Sequence, residues 1–390
     1  MFSKDDLFNC PEQSVFRSLL SIRKSGSINM KIFTKSVSVK TASRGLLSAM
    51  LASLLLVACE TTSQTMAETK KPPHHTAEGY RNLHIEHPDK NFFDFLYMRF
   101  FSDVEWADHE SRAAEITVKD LDIDLVNEPG TRNQVSWLGH STFLIQKGGK
   151  NILTDPIFAD RASPVPFAGP ARYIKHVVDY DKLPDIDYVV ISHNHYDHLD
   201  SETISRLGNT PMYLVPLGLK AWFVEQGILA ERIREHDWWD RTKLDGVTIQ
   251  AMPSQHWSAR GLGDRHETLW ASWYLDFGDR TLWFGGDTGY NPVQFKEIGA
   301  ATGGVDLALI PIGGYAPRSF MKTYHVNPEE AIFIHQDIQA TKSIGMHWGT
   351  FPLTAEGPID PQIELMSKRK KHLLSDEEFS TMIVGETFEW

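Results

Sequence analysis

Residues 187–200 read DYVVISHNHYDHLD, four apolar β-formers from Tyr188 to Ile191 followed by three histidines and an aspartate within the six positions His193 to His198. A short apolar run of this kind is a buried strand, and groups that carry charge or titrate near neutrality are costly to bury behind it without a partner. The stretch therefore has to close a strand at a sheet edge where its polar side chains can meet a ligand, the place where α/β proteins gather function. His193 and His195 alternate at strand spacing and can converge on one cation. Asp197 and His198 lie about one turn further on and can point to a second. Imidazole and carboxylate donors without a thiolate suit zinc, manganese or iron.

Two cations need more donors than four, and the same pattern recurs along the chain. VTIQAMPSQHW ends an apolar run on His256, RTLWFGGDTGY on Asp287 and SIGMHWGTF on His347. One histidine at a strand end reads as a hydrogen-bonded structural residue, whereas several such ends can meet at one edge of a sandwich. The surrounding pattern is α/β. QVSWLGHSTFLIQKGGKNILTDPIF reads as strands with a hairpin turn at Gly148-Gly149, and DYVVIS, MYLVP, VTIQAMPS, LWASWYLDF, RTLWFGG, VDLALIPIG and SIGMHW read as further short strands, with another hairpin turn expected at Gly278-Asp279. Helices are expected at LKAWFVEQG, VQFKEIGAA and NPEEAIFIHQDIQ. The last carries Asn327 as N-cap, Pro328 in the first turn and Glu330 to complete a capping box. Strands interleaved with helices imply a layered α/β architecture.

The stretches WLGHST, TDPIFADRASP, ISHNHYDHLD, PSQHWSAR, GGDTGY, PIGGYAPR, HVNPEEA and MHWGTF together resemble the metallo-β-lactamase superfamily. Within it they look more narrowly like the branch of N-acylphosphatidylethanolamine-hydrolysing phospholipase D, over about residues 131–352. The resemblance implies a four-layer αββα sandwich with a dinuclear zinc centre at its edge. It also implies that His193, His195 and His256 hold one ion, that Asp197, His198 and His347 hold the other, and that Asp287 bridges them. His140 in WLGHST is expected to support this set rather than to ligate. By the same resemblance Asp287, His325 and Asp197 are the candidate catalytic residues, with His325 donating to the phosphate or the leaving group. Substrate contacts are expected from Tyr290 and Tyr315 as pocket walls and from Arg318 as a phosphate clamp, the alternative for Arg318 being a salt bridge. Animal members of the branch carry Gln before the histidine at position 325. Tyr324 stands there in this chain, which bears on substrate preference.

The N-terminal region addresses location. Lys31, Lys35, Lys40 and Arg44 precede an apolar run from Gly45 to Ala58, too short for a bilayer span of about 20 residues but suited to a signal h-region. It ends LVAC at Cys59, which matches a bacterial lipobox, and Met30 opens a signal of normal proportions. Residues 1–58 are thus expected to be a signal region, 59–80 a polar tether anchored by lipid at Cys59, 81–130 an aromatic-rich extension packed on the main domain, and 131–390 the hydrolase domain. Glu60 after the cysteine points to outer-membrane sorting, with the domain facing the periplasm. Cys10 and Cys59 are the two cysteines, so a mature chain whose single Cys is acylated has neither a disulfide nor a thiol nucleophile.

A formal net charge of −12 argues against a nucleic-acid partner. A membrane phospholipid fits a lipid-anchored acidic domain better. The expected reaction is hydrolysis of an N-acylphosphatidylethanolamine-like phosphodiester by hydroxide generated between two divalent ions, most simply zinc. A lactonase or general phosphodiesterase on the same frame is the alternative within enzymes, because fold does not determine substrate. A non-catalytic metal-binding lipoprotein is the alternative outside them.

Overall fold

Hairpins of β-branched residues start the first sheet. In this computed structural model, which describes residues 71–86 and 92–390, β1 (Gln134–Gly139), β2 (Thr142–Lys147) and β3 (Lys150–Thr154) form a meander. The β2–β3 turn is the expected Gly148-Gly149, with φ of 62° and 73°, values glycine adopts without steric cost. Parallel strands β4 (Tyr188–Val190), β5 (Met212–Pro216) and β6 (Ile233–His236) extend the sheet, and the helices Ser201–Leu207 and Lys220–Glu225 make the crossovers.

The second sheet comprises β7 (Arg241–Leu244), β8 (Val247–Met252), β9 (Ser272–Asp276), β10 (Thr281–Phe284), β11 (Val305–Pro311), β12 (Ala340–Met346) and β13 (Phe379–Thr381). β14 (Thr387–Glu389) returns to pair with β1, so that among the described residues two seven-stranded sheets face each other. Helices Gln294–Thr302, Pro328–Asp337 and Asp360–Lys371 belong to the second half of the sandwich, the expected αββα arrangement. Asn327 accepts from the Glu330 amide and Glu330 reaches back to the Asn327 amide, completing the capping box read from the sequence. Asn327→Ala is expected to cost about 1 kcal/mol, read as a lower urea midpoint with unchanged slope.

Strand direction is what positions the site. β1 is antiparallel to β2 and β2 to β3, while β3 is parallel to β4, so β1, β3 and β4 all end on the same edge. By the same reasoning β8, β10, β11 and β12 share a direction. Every ligand candidate named above follows one of these strands.

Large aromatics fill the space between the sheets and hold that edge. Trp137, Trp270, Trp273 and Trp283 are almost fully buried. A buried indole N–H needs an acceptor, and three of these four find one in the backbone close to a site histidine. Trp137 Nε1 donates to His140 O at 2.9 Å, Trp273 Nε1 to Ile191 O at 2.8 Å and Trp270 Nε1 to Ser254 O at 2.9 Å.

The signal region, the Cys59 anchor and residues 59–70 of the tether lie outside the described residues. One boundary and one expected packing differ from the structure. The polar stretch read as tether to residue 80 is folded from residue 71, because His74 and His75 both bond Asp237 and His74 stacks on Trp238 at 4.3 Å. The aromatic extension is only partly packed. In the helix Phe92–Phe100, Met98 is buried and Phe95 meets Phe320 at 6.4 Å between ring centres, but Phe93, Tyr97 and Phe100, with Phe101 just after the helix, are 64–75% exposed. A single short helix buries one stripe, and aromatics on the remaining faces stay outside. No helix among the described residues is long and apolar enough to cross a membrane.

Candidate metal centre

The loops after the co-directional strands bring the expected donors together. His193, His195 and His256 form one group: His193 Nε2 is 2.8 Å and His256 Nε2 3.3 Å from His195 Nδ1. Asp197, His198 and His347 form a second group, with Asp197 Oδ2 3.4 Å from the Nε2 atoms of both histidines. Asp287 stands between them. Its Oδ2 is 3.2 Å from His198 Nε2, 3.8 Å from His256 Nε2 and 4.0 Å from His193 Nε2, and its Oδ1 is 3.0 Å from His347 Nε2. His140 joins the second group more closely than expected, 3.0 Å from Asp197 Oδ2 and with its ring 4.1 Å from that of His347.

This donor set fits metal ions. His195 Nε2, His198 Nε2, His347 Nε2 and Asp287 Oδ1 are buried without a well-aligned hydrogen bond, the last three meeting only as close charged or polar neighbours, a costly arrangement for a purely structural cluster. Imidazole nitrogens facing one another at 2.8–3.3 Å have at most one proton to share between them. Burial drives His195, His256 and His325 down to about 3 and His193 well below its usual value, so these rings are neutral and able to ligate. Burial raises Asp197 and Asp287, but the surrounding imidazoles, His198 foremost, outweigh it and hold both carboxylates well below their usual range. His347 is pushed up to about 9, its burial overcome by Asp287 and Asp197.

The outward ring atoms are tied down. His256 Nδ1 donates to Tyr324 O at 3.0 Å, and His193 Nδ1 meets Ser192 Oγ at 2.9 Å. His198 Nδ1 lies 2.6 Å from Asp155 Oδ2. Such contacts fix the tautomer and leave the other nitrogen for a cation. Asp155 was not among the site residues expected from the sequence. It is fully buried, follows β3, and also accepts from the Ser192 amide at 2.6 Å. Its signal was an acid directly after an apolar strand in ILTDPIF, the same pattern that marked Asp287.

Backbone strain gathers here. His140, Asp155 and His347 take φ of 53°, 34° and 62°, left-handed conformations that cost non-glycine residues about 1–3 kcal/mol each. Cross-links hold them: the His140 amide donates to Thr350 Oγ1 at 2.7 Å, and the His347 amide to His140 O at 3.1 Å. Gly314, with φ of 80°, is a glycine of necessity, since a Cβ there would stand 2.9 Å from His325 Nδ1. Glu356 anchors that loop by accepting from the amides of Gly314, Tyr315 and Ala316 at 2.6–3.1 Å.

Of the other expected residues, His325 reaches the centre, its Nδ1 3.8 Å from Asp287 Oδ2 and its side chain 13% exposed. Tyr324 lies beside it with its ring 6.0 Å from that of His256. Three expectations are corrected. Tyr290 bonds Asp337 through its hydroxyl at 2.9 Å and stacks on Phe295, turned toward the outer helices. Tyr315 is buried with its hydroxyl on Glu364. Arg318 spends its guanidinium on Glu330 at 2.6 Å and on the His325 carbonyl at 2.7 Å, so it braces the His325 backbone rather than clamping phosphate. Each of the three sits near a polar partner from a helix that the linear spacing did not reveal.

The Beta-lactamase superfamily domain matches residues 150–348. A Caenorhabditis elegans protein named N-acyl-phosphatidylethanolamine-hydrolyzing phospholipase D 1 is 43% identical over 268 residues, covering 65% of this chain and 75% of that one. A Saccharomyces cerevisiae protein named as a mitochondrial phospholipase D of the same type is 35% identical over 238 residues, with 59% and 50% covered. Among solved structures, an isothiocyanate hydrolase from Delia radicum gut bacteria superposes with a TM-score of 0.53 at 20% identity, over 66% of this chain and all of that one, a likeness of fold alone. With seven donors gathered after four strands of the sandwich and these relatives in view, the chain belongs to the metallo-β-lactamase superfamily and is a hydrolase of its N-acylphosphatidylethanolamine phospholipase D-like group.

Proposed function

We propose that the protein is a dinuclear, zinc-dependent phospholipase D that hydrolyses N-acylphosphatidylethanolamine-like lipids to phosphatidic acid and an N-acylethanolamine. One observation carries this reading. Six nitrogen and oxygen donors meet around the central carboxylate of Asp287 in a chain 43% identical to a protein named for that activity. The two groups would hold one ion each, His193, His195 and His256 on one side and Asp197, His198 and His347 on the other, with Asp287 shared. When bound, divalent ions supply Lewis acidity toward a phosphoryl oxygen and lower the pKa of coordinated water.

The protein groups do the rest. Asp287, ionised and buried, orients the attacking water through its carboxylate. His325 borders Asp287 and is the more open of the histidines there; as a neutral ring it can hydrogen-bond a phosphoryl oxygen or relay a proton to the departing alkoxide. Water oxygen bonds to phosphorus, the bond from phosphorus to the ethanolamine oxygen breaks, and the proton ends on that oxygen. Trp257 and Tyr324 flank His256, with Arg265 stacked 4.1 Å above the Trp257 ring, giving the rim an apolar wall and a cation. A polar cavity of about 250 Å³ beside the HNHYDH loop, lined by Tyr196, Trp222 and Arg260 among others, offers room for part of the substrate. Lipid attachment at Cys59 would keep such an enzyme at the surface of a bacterial envelope membrane.

The zinc-loaded chain is expected to release N-acylethanolamine from N-acylphosphatidylethanolamine in mixed micelles, identified by product mass. Intact lipid alongside rapid cleavage of lactones or thioesters would overturn the substrate assignment while leaving the metal centre standing.

A further inference from the structure

The segment read from sequence as the end of a flexible tether does structural service at the metal centre. Residues 74–82 close on themselves: the Arg81 amide donates to His74 O at 2.9 Å, the Thr76 amide to Gly79 O at 2.8 Å, and His75 meets Tyr80 edge to face at 5.1 Å. The loop is pinned at its base. His74 Nε2 and His75 Nε2 lie 2.6 and 2.8 Å from the two oxygens of Asp237, and the Tyr80 amide donates to His266 O at 2.9 Å. Gly79 permits that approach, because a Cβ there would sit 2.1 Å from His266 O.

What the loop delivers is Asn82, which is 6% exposed. Its Nδ2 donates to the His256 carbonyl at 2.8 Å and its Oδ1 accepts the His256 amide at 3.1 Å, so one primary amide grips both backbone groups of a ligand 174 positions away. The same Oδ1 lies 3.2 Å from Trp270 Nε1, and Trp238, under the His74 ring, donates its indole N–H to Trp270 O at 2.6 Å. A continuous set of bonds therefore runs from the His74–His75–Asp237 pin to His256. His256 sits in an irregular loop after β8, where no strand ladder fixes its backbone, and its place within about 0.5 Å decides whether Nε2 reaches a shared cation.

We propose that residues 74–82 are a strap, with Asn82 as a positioning residue that sets His256 and thereby controls cation occupancy of the His193, His195 and His256 group. This rests on the reading of that group as a metal site. The strap makes affinity for one of two cations depend on a segment outside the sandwich.

The test uses the full chain and zinc ion. Zinc is titrated against a chromogenic chelator, and cobalt-substituted protein is examined by visible absorption. Wild type is expected to bind two equivalents. Asn82→Leu, which keeps the branched side-chain skeleton and removes both bonds to His256, is expected to weaken one equivalent by about tenfold or more and leave the other unchanged. Its cobalt spectrum should lose the contribution of one ion, and its turnover should recover on adding zinc with KM unaltered, which a purely structural defect would not do. His74→Ala/His75→Ala, which loosens the pin without touching His256, should show the same effect in smaller degree and carries the test should Asn82→Leu fail to fold. Two equivalents bound with wild-type affinity in whichever variant folds would overturn the strap. Wild type binding no zinc would instead overturn the reading of the metal centre itself.

Discussion

Asp287→Asn is expected to lower turnover by at least about 10³-fold, the scale seen when a central electrostatic group is removed from a catalytic site. Asp287 is 3% exposed and lies within 4.0 Å of His193, His198, His256, His325 and His347. The amide keeps the shape and removes the negative charge that both donor groups face. One of its two polar ends must also turn an N–H toward atoms meant for a cation. Metal content by elemental analysis should fall below two equivalents, while far-ultraviolet circular dichroism stays that of wild type. A variant that keeps two ions and turns over within tenfold of wild type would remove Asp287 from the centre of the chemistry.

The second large effect is expected from a residue with no direct place in either donor group. Asp155→Ala should destabilise the fold by about 3–5 kcal/mol, the cost of leaving buried charge partners uncompensated. It strands His198 Nδ1 and the Ser192 amide and leaves the Ser192 hydroxyl with only His193 Nδ1, all three groups bonding the Asp155 carboxylate in a fully buried pocket. Zinc affinity should fall by about 10–100-fold as His198 loses the contact that fixes its tautomer. Denaturant midpoints and chelator competition measure the two effects separately. An Asp155→Ala chain with wild-type midpoint and affinity would show that His198 needs no support from behind.

How much of this was legible depended on whether the signal was local. His193, His195, Asp197, His198, His256, Asp287 and His347 could be read because each follows an apolar run, and the capping box of Asn327 and Glu330 because its parts lie three residues apart. The Gly148-Gly149 hairpin was legible for the same reason. Edge strands were not. β7 is Arg-Thr-Lys-Leu and β14 Thr-Phe-Glu, and their identity as strands comes from partners, β14 through pairing with β1 some 250 positions earlier. The polar helix Asp360–Lys371 buries little beyond Pro361, Leu365 and Arg369, too thin an apolar stripe to announce itself. Tyr290, Tyr315 and Arg318 were misread because adjacency to glycine-rich strand ends says nothing of which way a side chain turns. The strap was hidden by composition: a polar, proline-containing stretch looks like linker until His74 and His75 find Asp237.

The indole donors of Trp137, Trp270 and Trp273 have an implication for how this protein would tolerate change. Because their N–H groups end on carbonyls next to the histidine-bearing loops, the oily interior and the reactive rim share fasteners. Loosening the middle of the sandwich would reach the chemistry before it unravelled the chain, so drift in these tryptophans should surface first as a sluggish catalyst and only later as an unstable one.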